Sequence, residues 1–270
     1  SFDKLLSKGK NVFLSVDLNI QTILRTEIQK QITKFRANSG SGVILDVKTG
    51  EIISLVSLPD YNNNSYSKAT SIQKFNNATK GLFELGSVFK ILNVAIGLET
   101  GVTAIRKKYN VSNPIKISKF RIKDDHHFDG YLNTSEILVL SSNIGSAKIA
   151  EEIGIKKQKK YFKNLGLLDF PKLKLPEIST PSLPKNWEKT ELMTISFGHG
   201  IAVTPLHAAS AISTASSHGY FINPTLKRIE QNEIIKKSKV FSLDTVSKIR
   251  TMMRLVVSHP KGTANKAETT

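Results

Sequence analysis

The chain has 270 residues, of which 39% are hydrophobic and 23% are charged, with no cysteine and a formal net charge of +17. This length and composition predict one globular unit with a sizeable core and exclude disulfides and thiolate metal sites. No apolar run reaches the roughly 20 residues that cross a bilayer, and residues 1–6 lack the pattern of a secretory signal.

The net positive charge raises the question of nucleic-acid binding, since clustered lysines and arginines neutralise phosphates. The lysines are spread along the chain, with one dense run at residues 156–160. Ile155, Tyr161, Phe162 and Leu165 predict that this run lies on the solvated face of an amphipathic helix. We therefore expect no nucleic-acid partner, although the charge suits a polyanionic envelope surface.

The first predicted element is a helix from Leu18 to Phe35. Asp17 before it is a suitable N-cap, because a carboxylate accepts hydrogen bonds from the free N–H groups of a first turn. The apolar positions recur every three or four residues and predict packing by one face: Ile20, Ile23, Leu24, Ile28, Ile32 and Phe35.

Two β-rich runs follow, at residues 42–47 and 52–56, and predict a hairpin. Lys48-Thr49-Gly50-Glu51 separates them, and Gly50 suits the tight turn. The polar residues 59–65 then predict an exposed loop.

Residues 87–98 are apolar almost all round, which predicts a helix buried on nearly every side. Ser87 and Lys90 lie three positions apart and share a face of this helix. A serine hydroxyl needs a base, and a lysine serves as one only if burial or a neighbouring charge lowers its pKa from about 10.4 towards neutrality. The start of a buried helix suits both roles. The helix N-terminus stabilises negative charge that develops on the serine, and burial disfavours the charged form of the lysine.

A Ser-x-x-Lys tetrapeptide is common, but the surroundings of this one are specific. Residues 75–90 read Phe-Asn-Asn-Ala-Thr-Lys-Gly-Leu-Phe-Glu-Leu-Gly-Ser-Val-Phe-Lys. They resemble the segment of class B penicillin-binding proteins that passes through Glu-Pro-Gly into Ser-Thr-Phe-Lys, with Leu85 and Val88 in place of proline and threonine. The resemblance implies that Ser87 is the acylated nucleophile and Lys90 the general base.

A second segment, Ser141-Ser142-Asn143, is similar to the Ser-x-Asn motif of the same family. The resemblance implies that Ser141 relays a proton between Lys90 and the leaving amine, while Asn143 holds Lys90 and the substrate amide. Hydroxyl and carboxamide groups suit these roles, because both donate and accept hydrogen bonds. The residues alone also allow a simpler interpretation, in which the three merely cap two flanking helices.

Residues 198–207, Gly-His-Gly-Ile-Ala-Val-Thr-Pro-Leu-His, resemble the family's Gly-x-Gly-x-x-x-Thr-Pro-Leu-Gln strand and helix start. Pro205 suits a first helical turn, with Thr204 as the cap. The order and spacing of these segments extend the resemblance over nearly the whole chain.

The family's third motif, Lys-Thr-Gly, lies last in the chain, on a strand beside the serine. Lys48-Thr49-Gly50 precedes the nucleophile and falls in the predicted hairpin turn, so it is not this motif. Residues 253–257, Met-Arg-Leu-Val-Val, and Gly262-Thr263 resemble family segments shortly before the motif. We therefore expect residues 1–270 to be one transpeptidase domain that is incomplete at its C-terminus. In the family, the strand after this motif supplies one of the two backbone N–H groups of the oxyanion hole. The loss of one such donor typically costs about 10²- to 10³-fold in rate, so a poor enzyme is expected unless another chain completes the domain.

The resemblance implies a mixed α/β (α+β) fold of the serine β-lactamase type, with an antiparallel sheet flanked by helices. It implies a peptidoglycan D,D-transpeptidase that cross-links stem peptides through a serine acyl-enzyme and binds penicillin covalently. The implied partners are the D-Ala-D-Ala stem peptide, β-lactams and membrane proteins of division or elongation. The implied location is the extracytoplasmic face of the bacterial inner membrane, with an anchor outside this chain.

Other functions remain open from the residues. A serine β-lactamase or D,D-carboxypeptidase shares the Ser-Lys chemistry but hydrolyses its acyl-enzyme, and no carboxylate motif for a hydrolytic water is recognisable. A non-catalytic assembly module would keep the fold and use its surface to bind partner proteins. A metal site at His126 and His127 is not expected, because no tight spacing links them to other histidines, and the family needs no cofactor.

Overall fold

The structure, a computed structural model, describes residues 11–117, 120–169, 171, 173 and 175–268. Residues 1–6 and Thr270, which enter the predictions above, lie outside that set. The helices are α1 (Leu18–Phe35), α2 (Ser71–Lys74), α3 (Phe89–Glu99), α4 (Thr134–Val139), α5 (Asn143–Ile153), α6 (Ile155–Asn164), α7 (Lys189–Ile195), α8 (Pro205–Ser216) and α9 (Leu243–Ser258). The strands are β1 (Gly40–Leu45), β2 (Ile52–Leu58), β3 (Lys108–Asn110), β4 (Ile115–Ile117), β5 (Phe120–Ile122), β6 (Tyr131–Asn133), β7 (Tyr220–Ile222) and β8 (Lys237–Lys239).

Helix α1 has the predicted bounds, and Asp17 is its N-cap. The Asp17 carboxylate accepts hydrogen bonds from the N–H groups of Asn19 and Ile20, at 2.8 and 3.0 Å. The predicted apolar face was wrong for Ile23 and Phe35, whose exposed fractions are 63% and 69%. No residue of α1 is fully buried, because the helix lies at the periphery and only the stripe facing the sheet is covered.

Strands β1 and β2 form the predicted antiparallel hairpin. Strand β1 begins and ends two residues earlier than predicted. It ends before Asp46 because the Asp46 carboxylate accepts hydrogen bonds from the N–H groups of Lys48 and Thr49 and so starts the turn. Gly50 has a φ of +77°, which a glycine adopts without strain.

Two helices flank this hairpin. A Cβ atom on Gly42 would meet Leu24 and Ile28 of α1, so that helix lies directly on β1. Helix α8 packs against β1 and β7, and a single parallel bridge joins Glu51 to Thr225. The expected antiparallel sheet flanked by helices is present around the hairpin. Within the described ranges, however, the strands form four separate antiparallel pairs.

Helix α3 is the buried helix that the sequence predicted. Its approach is a 3₁₀ turn, Gly86–Val88, so the α-helix begins at Phe89 rather than at Ser87. Phe89 meets Phe162 of α6 edge to face. The buried residues of α3 are Phe89, Lys90, Leu92, Asn93, Val94, Ala95, Ile96 and Gly97.

The basic helix α6 is amphipathic, as predicted. Its lysines between 156 and 160 are exposed, whereas Phe162 and the following Leu165 are 1% and 0% exposed. The apolar side chains therefore anchor the helix to the core and leave the charged ammonium groups in water.

Helix α8 begins as predicted, with Thr204 as N-cap and Pro205 in the first turn. The Thr204 hydroxyl lies 2.7 Å from Nδ1 of His207, which stands where the family motif has glutamine. Burial lowers the pKa of His207, so its ring is neutral at pH 7 and suits the positive end of the helix dipole.

The predicted exposed loop at residues 59–65 is partly helical. Asn62 caps a 3₁₀ helix, Asn63–Lys68, by accepting a hydrogen bond from the N–H group of Asn64. A further 3₁₀ helix, Asn265–Ala267, follows α9. In the part of the chain that the structure describes, no helix is both long enough and apolar enough to cross a membrane.

Candidate active site

Three predicted residues, Ser87, Lys90 and Ser141, meet at one point of the fold. Lys90 Nζ lies 2.9 Å from Ser87 Oγ and 2.8 Å from Ser141 Oγ. Ser141 Oγ in turn lies 2.9 Å from Ser87 Oγ. The three polar atoms form a nearly equilateral triangle, in which each lies within direct proton-transfer distance of the other two.

The environment of Lys90 suits a base. Its side chain is 1% exposed, whereas Ser87 on the preceding turn is exposed. Burial lowers the pKa of Lys90 from 10.5 to about 8, and the negative charges of Asp124 and Asp125 oppose that shift. Roughly one lysine in ten is therefore a neutral amine at pH 7, which is the form that can accept a proton.

Ser141 has an unusual backbone conformation. Its φ of +60° lies in the left-handed region, which residues other than glycine rarely adopt. Such a residue costs roughly 1–3 kcal/mol and persists only where its surroundings hold it. Here the conformation directs both the hydroxyl and the carbonyl oxygen of Ser141 to Lys90 Nζ, each at 2.8 Å.

The capping interpretation of this turn is also correct, but only for the middle residue, Ser142. Ser142 is fully buried and is the N-cap of α5, where its hydroxyl accepts a hydrogen bond from the N–H group of Gly145. Ser142 therefore secures the helix, while Ser141 points to the reactive groups.

Asn143 lies in the same turn but does not make the expected bond to Lys90. Its Nδ2 donates to the carbonyl oxygen of Lys123 at 3.1 Å. The three hydrogen bonds of Lys90 Nζ go to Ser87 Oγ and to the two oxygens of Ser141, which uses every donor of an ammonium group. The amide oxygen of Asn143 has no described protein donor and remains available to a substrate.

Asp124 is a residue of the site that the sequence did not indicate. Its carboxylate accepts hydrogen bonds from Ser142 Oγ at 2.8 Å and from the N–H group of Ile144 at 2.9 Å. Nearby, His127 Nε2 lies 2.9 Å from Asp129 Oδ1. No local pattern reveals the partners of Asp124, since its hydrogen bonds join a loop to a turn 18 and 20 residues later.

A glycine turn after α7 packs against the residues that precede Ser87. Glu84 accepts a hydrogen bond from the N–H group of Gly200 at 2.9 Å. Gly198 has a φ of +82°, and a Cβ atom there would collide with the backbone of Gly86. The turn that carries Ser87 is therefore positioned by contacts with residues more than a hundred positions later.

The model of the "penicillin binding protein transpeptidase domain" matches residues 40–270 of this chain. The chain belongs to this family. The penicillin-binding transpeptidase fold predicted from its motifs is also confirmed by solved structures. One is the transpeptidase domain of penicillin-binding protein 3 from Burkholderia pseudomallei, with a TM-score of 0.84 and 29% identity. The match covers 95% of this chain and 73% of that one. A peptidoglycan glycosyltransferase from Burkholderia ambifaria gives a TM-score of 0.86 at 28% identity, covering 95% of this chain and 78% of that one.

Curated relatives of this transpeptidase domain bear consistent names. The probable peptidoglycan D,D-transpeptidase FtsI of Caulobacter vibrioides is 34% identical over 97% of the chain, which spans 44% of that relative. The probable peptidoglycan D,D-transpeptidase PenA of Neisseria meningitidis is 31% identical over 97% of the chain, again 44% of the relative. The peptidoglycan D,D-transpeptidase FtsI of Escherichia coli is 29% identical, with 91% and 42% covered.

Behind the reactive triangle, the transpeptidase domain contains a buried polar chain. Asn93, one turn after Lys90, donates through Nδ2 to the carbonyl oxygen and to Oγ of Ser146, both at 2.9 Å. Ser146 Oγ donates to the carbonyl oxygen of Ser196 at 2.9 Å. These bonds connect α3, α5 and the end of α7, and an asparagine in an otherwise apolar helix was the available sequence signal.

The early Lys48-Thr49-Gly50 of this transpeptidase domain lies in the hairpin turn, as predicted. Thr49 Oγ1 donates to Glu51 at 2.9 Å, within the turn itself. Among the described residues, no group of three or more histidine, aspartate or glutamate side chains is arranged to hold a metal ion.

The glycine contact gives a prediction for the transpeptidase domain. Gly198→Ala is expected to destabilise the fold by about 2–4 kcal/mol, because the new methyl group adds a backbone collision to the strain of a positive φ. It should also slow acylation of Ser87, since Gly86 must move. Thermal denaturation and penicillin labelling measure the two effects.

Gly130→Ala is the matched control. Gly130 has a similar φ of +86°, but a Cβ atom there meets nothing within 4 Å. We expect a loss of only about 1 kcal/mol from backbone strain and unchanged labelling. Equal effects of the two substitutions would show that contact with Gly86 is unimportant.

Proposed function

We propose that this chain carries the acyl-transfer site of a peptidoglycan D,D-transpeptidase. One observation carries the proposal: Ser87 Oγ, Lys90 Nζ and Ser141 Oγ lie within 2.9 Å of one another around a buried lysine. A serine with a base and a relay at these distances is equipped for acyl transfer. The names of the relatives supply the substrate class, a peptide of peptidoglycan.

In the proposed acylation, Ser87 Oγ attacks the carbonyl carbon between the two D-alanines of a stem peptide. Neutral Lys90 accepts the hydroxyl proton as the C–O bond forms. Ser141 Oγ, which bonds both groups, then passes a proton from the Lys90 ammonium to the departing amine as the C–N bond breaks. D-Alanine leaves, and the peptide remains as an ester on Ser87.

Transfer reverses these roles. An amine from a neighbouring strand attacks the ester carbonyl, Lys90 accepts a proton from that amine, and Ser87 Oγ leaves and recovers its proton. Asn143 supports both halves, because its free amide oxygen is placed to accept a hydrogen bond from a substrate N–H group. The positive end of the α3 dipole stabilises negative charge near Ser87.

A β-lactam fits the same chemistry. Its strained cyclic amide acylates Ser87, but the leaving amine stays tethered to the acyl group and hinders attack on the ester. The adduct is therefore expected to persist. A serine β-lactamase or D,D-carboxypeptidase would release it by hydrolysis, and a non-catalytic module would not form it.

The setting of the whole protein also belongs to the proposal. The substrate polymer implies the extracytoplasmic face of the bacterial inner membrane, an anchor outside residues 1–270 and partners in division or elongation. From the family's motif order, we further propose that residues 1–270 form one transpeptidase domain. Its full activity requires a Lys-Thr-Gly element that none of the residues after Ser87 supplies.

Intact-mass spectrometry after incubation with a fluorescent penicillin tests the proposal. We expect one adduct per chain, retained after the free drug is removed, and no adduct on Ser87→Ala. Ser258→Ala, in which an exposed serine of α9 is changed, is the control and should be labelled like the unchanged chain. Rapid loss of the label would favour a hydrolase, and no label on a folded chain would favour the non-catalytic module.

A further inference from the structure

We propose that Asp124 is a positioning residue for Ser141. Its carboxylate holds the Ser141–Asn143 turn in the conformation that brings the Ser141 hydroxyl to Ser87 and Lys90. This inference rests on the proposed function, because the consequence of the positioning is the rate at which Ser87 is acylated.

Both oxygens of the Asp124 carboxylate are used on this turn. Oδ2 accepts the hydroxyl hydrogen of Ser142 at 2.8 Å, and Oδ1 accepts the N–H group of Ile144 at 2.9 Å. The same Ser142 hydroxyl accepts the N–H group of Gly145 at 2.9 Å. One carboxylate therefore orients the cap of α5 and occupies a free N–H group of its first turn.

The turn needs such support because of the backbone conformation of its first residue. Ser141 has a left-handed φ of +60°, and a non-glycine residue keeps that conformation only where neighbouring contacts enforce it. The preceding residue of the Asp124 loop helps, since the carbonyl oxygen of Lys123 accepts from Asn143 Nδ2. Two consecutive residues thus clamp the turn from the same side.

Asp124 also has an electrostatic effect that can be separated from its hydrogen bonds. The negative charges of Asp124 and Asp125 both favour the ammonium form of Lys90. Asp125 is exposed, and it makes none of the hydrogen bonds described above to the turn. Removing Asp125 therefore changes the charge alone, and removing Ser142 changes the hydrogen bonding alone.

The test is the pH profile of Ser87 acylation by a fluorescent penicillin, in the unchanged chain and four variants. In each profile, the high-pH plateau reports the geometry of the site, and the midpoint reports the proton affinity of Lys90. Asp124→Ala should lower the plateau on the order of 10- to 100-fold, since a displacement of about 1 Å can have that effect. It should also move the midpoint to lower pH.

The other variants separate the two effects. Asp125→Asn should keep the plateau and lower the midpoint. Ser142→Ala should lower the plateau and keep the midpoint. Asp124→Asn should recover most of the plateau while lowering the midpoint, because the amide oxygen can still accept a hydrogen bond from the turn.

The outcomes are distinguishable from failure of the proposed function. No adduct on the folded, unchanged chain overturns the proposed function and this inference with it. A normal adduct on that chain, together with plateaus of Asp124→Ala and Ser142→Ala within twofold of it, overturns the inference alone. If Asp124→Ala does not fold, as judged by circular dichroism, Ser142→Ala decides the question, and a plateau of that variant within twofold of the unchanged chain overturns the inference.

Discussion

Replacing Lys90 by methionine is expected to slow acylation of Ser87 by a penicillin by about 10²- to 10⁴-fold, the usual contribution of a general base. Methionine is similar in length but cannot accept the serine proton. Neither Ser141 nor any solvent group then offers a base of comparable strength at the 2.9 Å that separates Lys90 Nζ from Ser87 Oγ. The second-order rate constant of labelling measures the effect.

The same substitution should leave the fold intact, which separates a chemical effect from a structural one. Lys90 is 1% exposed, and the apolar replacement removes the desolvation penalty of its ammonium, which offsets the loss of its three hydrogen bonds. We expect a melting temperature at pH 7 no lower than that of the unchanged chain.

Lys80→Met is the control, because Lys80 is an exposed lysine that lies over the ring of Phe75 shortly before the nucleophile. Its labelling rate should stay within twofold of normal. Labelling of Lys90→Met within tenfold of the unchanged chain would show that another group removes the proton.

The second large effect is on pH dependence. Between pH 6 and about 8, the acylation rate should rise about tenfold per pH unit, because the reactive form of Lys90 is the neutral amine and its pKa is about 8. Above that pH the rate should level off. Stopped-flow fluorescence with a labelled penicillin measures the profile, with spontaneous β-lactam hydrolysis subtracted at each pH.

Two results would contradict this interpretation of Lys90. A rate independent of pH between 6 and 8 would mean that the lysine is not the base. A limb that continues to rise to the usual lysine pKa of about 10.4 would mean that burial does not activate it. The Lys90→Met variant supplies the comparison, since its residual rate should lack the limb.

The same pKa has a consequence for stability with a definite sign. Below about pH 8 Lys90 is protonated in both the folded and the unfolded chain, and the folded chain bears the penalty of a buried ammonium. Between about 8 and 10.5 the unfolded chain holds the proton more tightly than the folded chain. The free energy of unfolding should therefore gain a favourable contribution from Lys90 as the pH rises through this window.

Much of the local structure could be predicted because it depends on neighbouring residues. Asp17 caps α1 through N–H groups two and three positions away, and Gly50 turns the hairpin within six residues of both strands. The apolar character of α3 predicted its burial, and the two motifs predicted the family. Errors occurred where solvent exposure was decided at a distance, as for Ile23 and Phe35 on α1.

The sequence by itself predicted which residues serve as nucleophile, base and relay, and it determined the family to which the chain belongs, because spacing within a motif is a local property. Only the tertiary structure decided how these residues are arranged. Ser141 reaches Ser87 across 54 residues, its left-handed backbone is held by a loop that includes Asp124, and Asn143 bonds to Lys123 rather than to Lys90. The pKa of Lys90 likewise depends on what α3 is buried against and which carboxylates lie nearby. Such properties arise from groups brought together by long-range packing, and no short segment of sequence contains them.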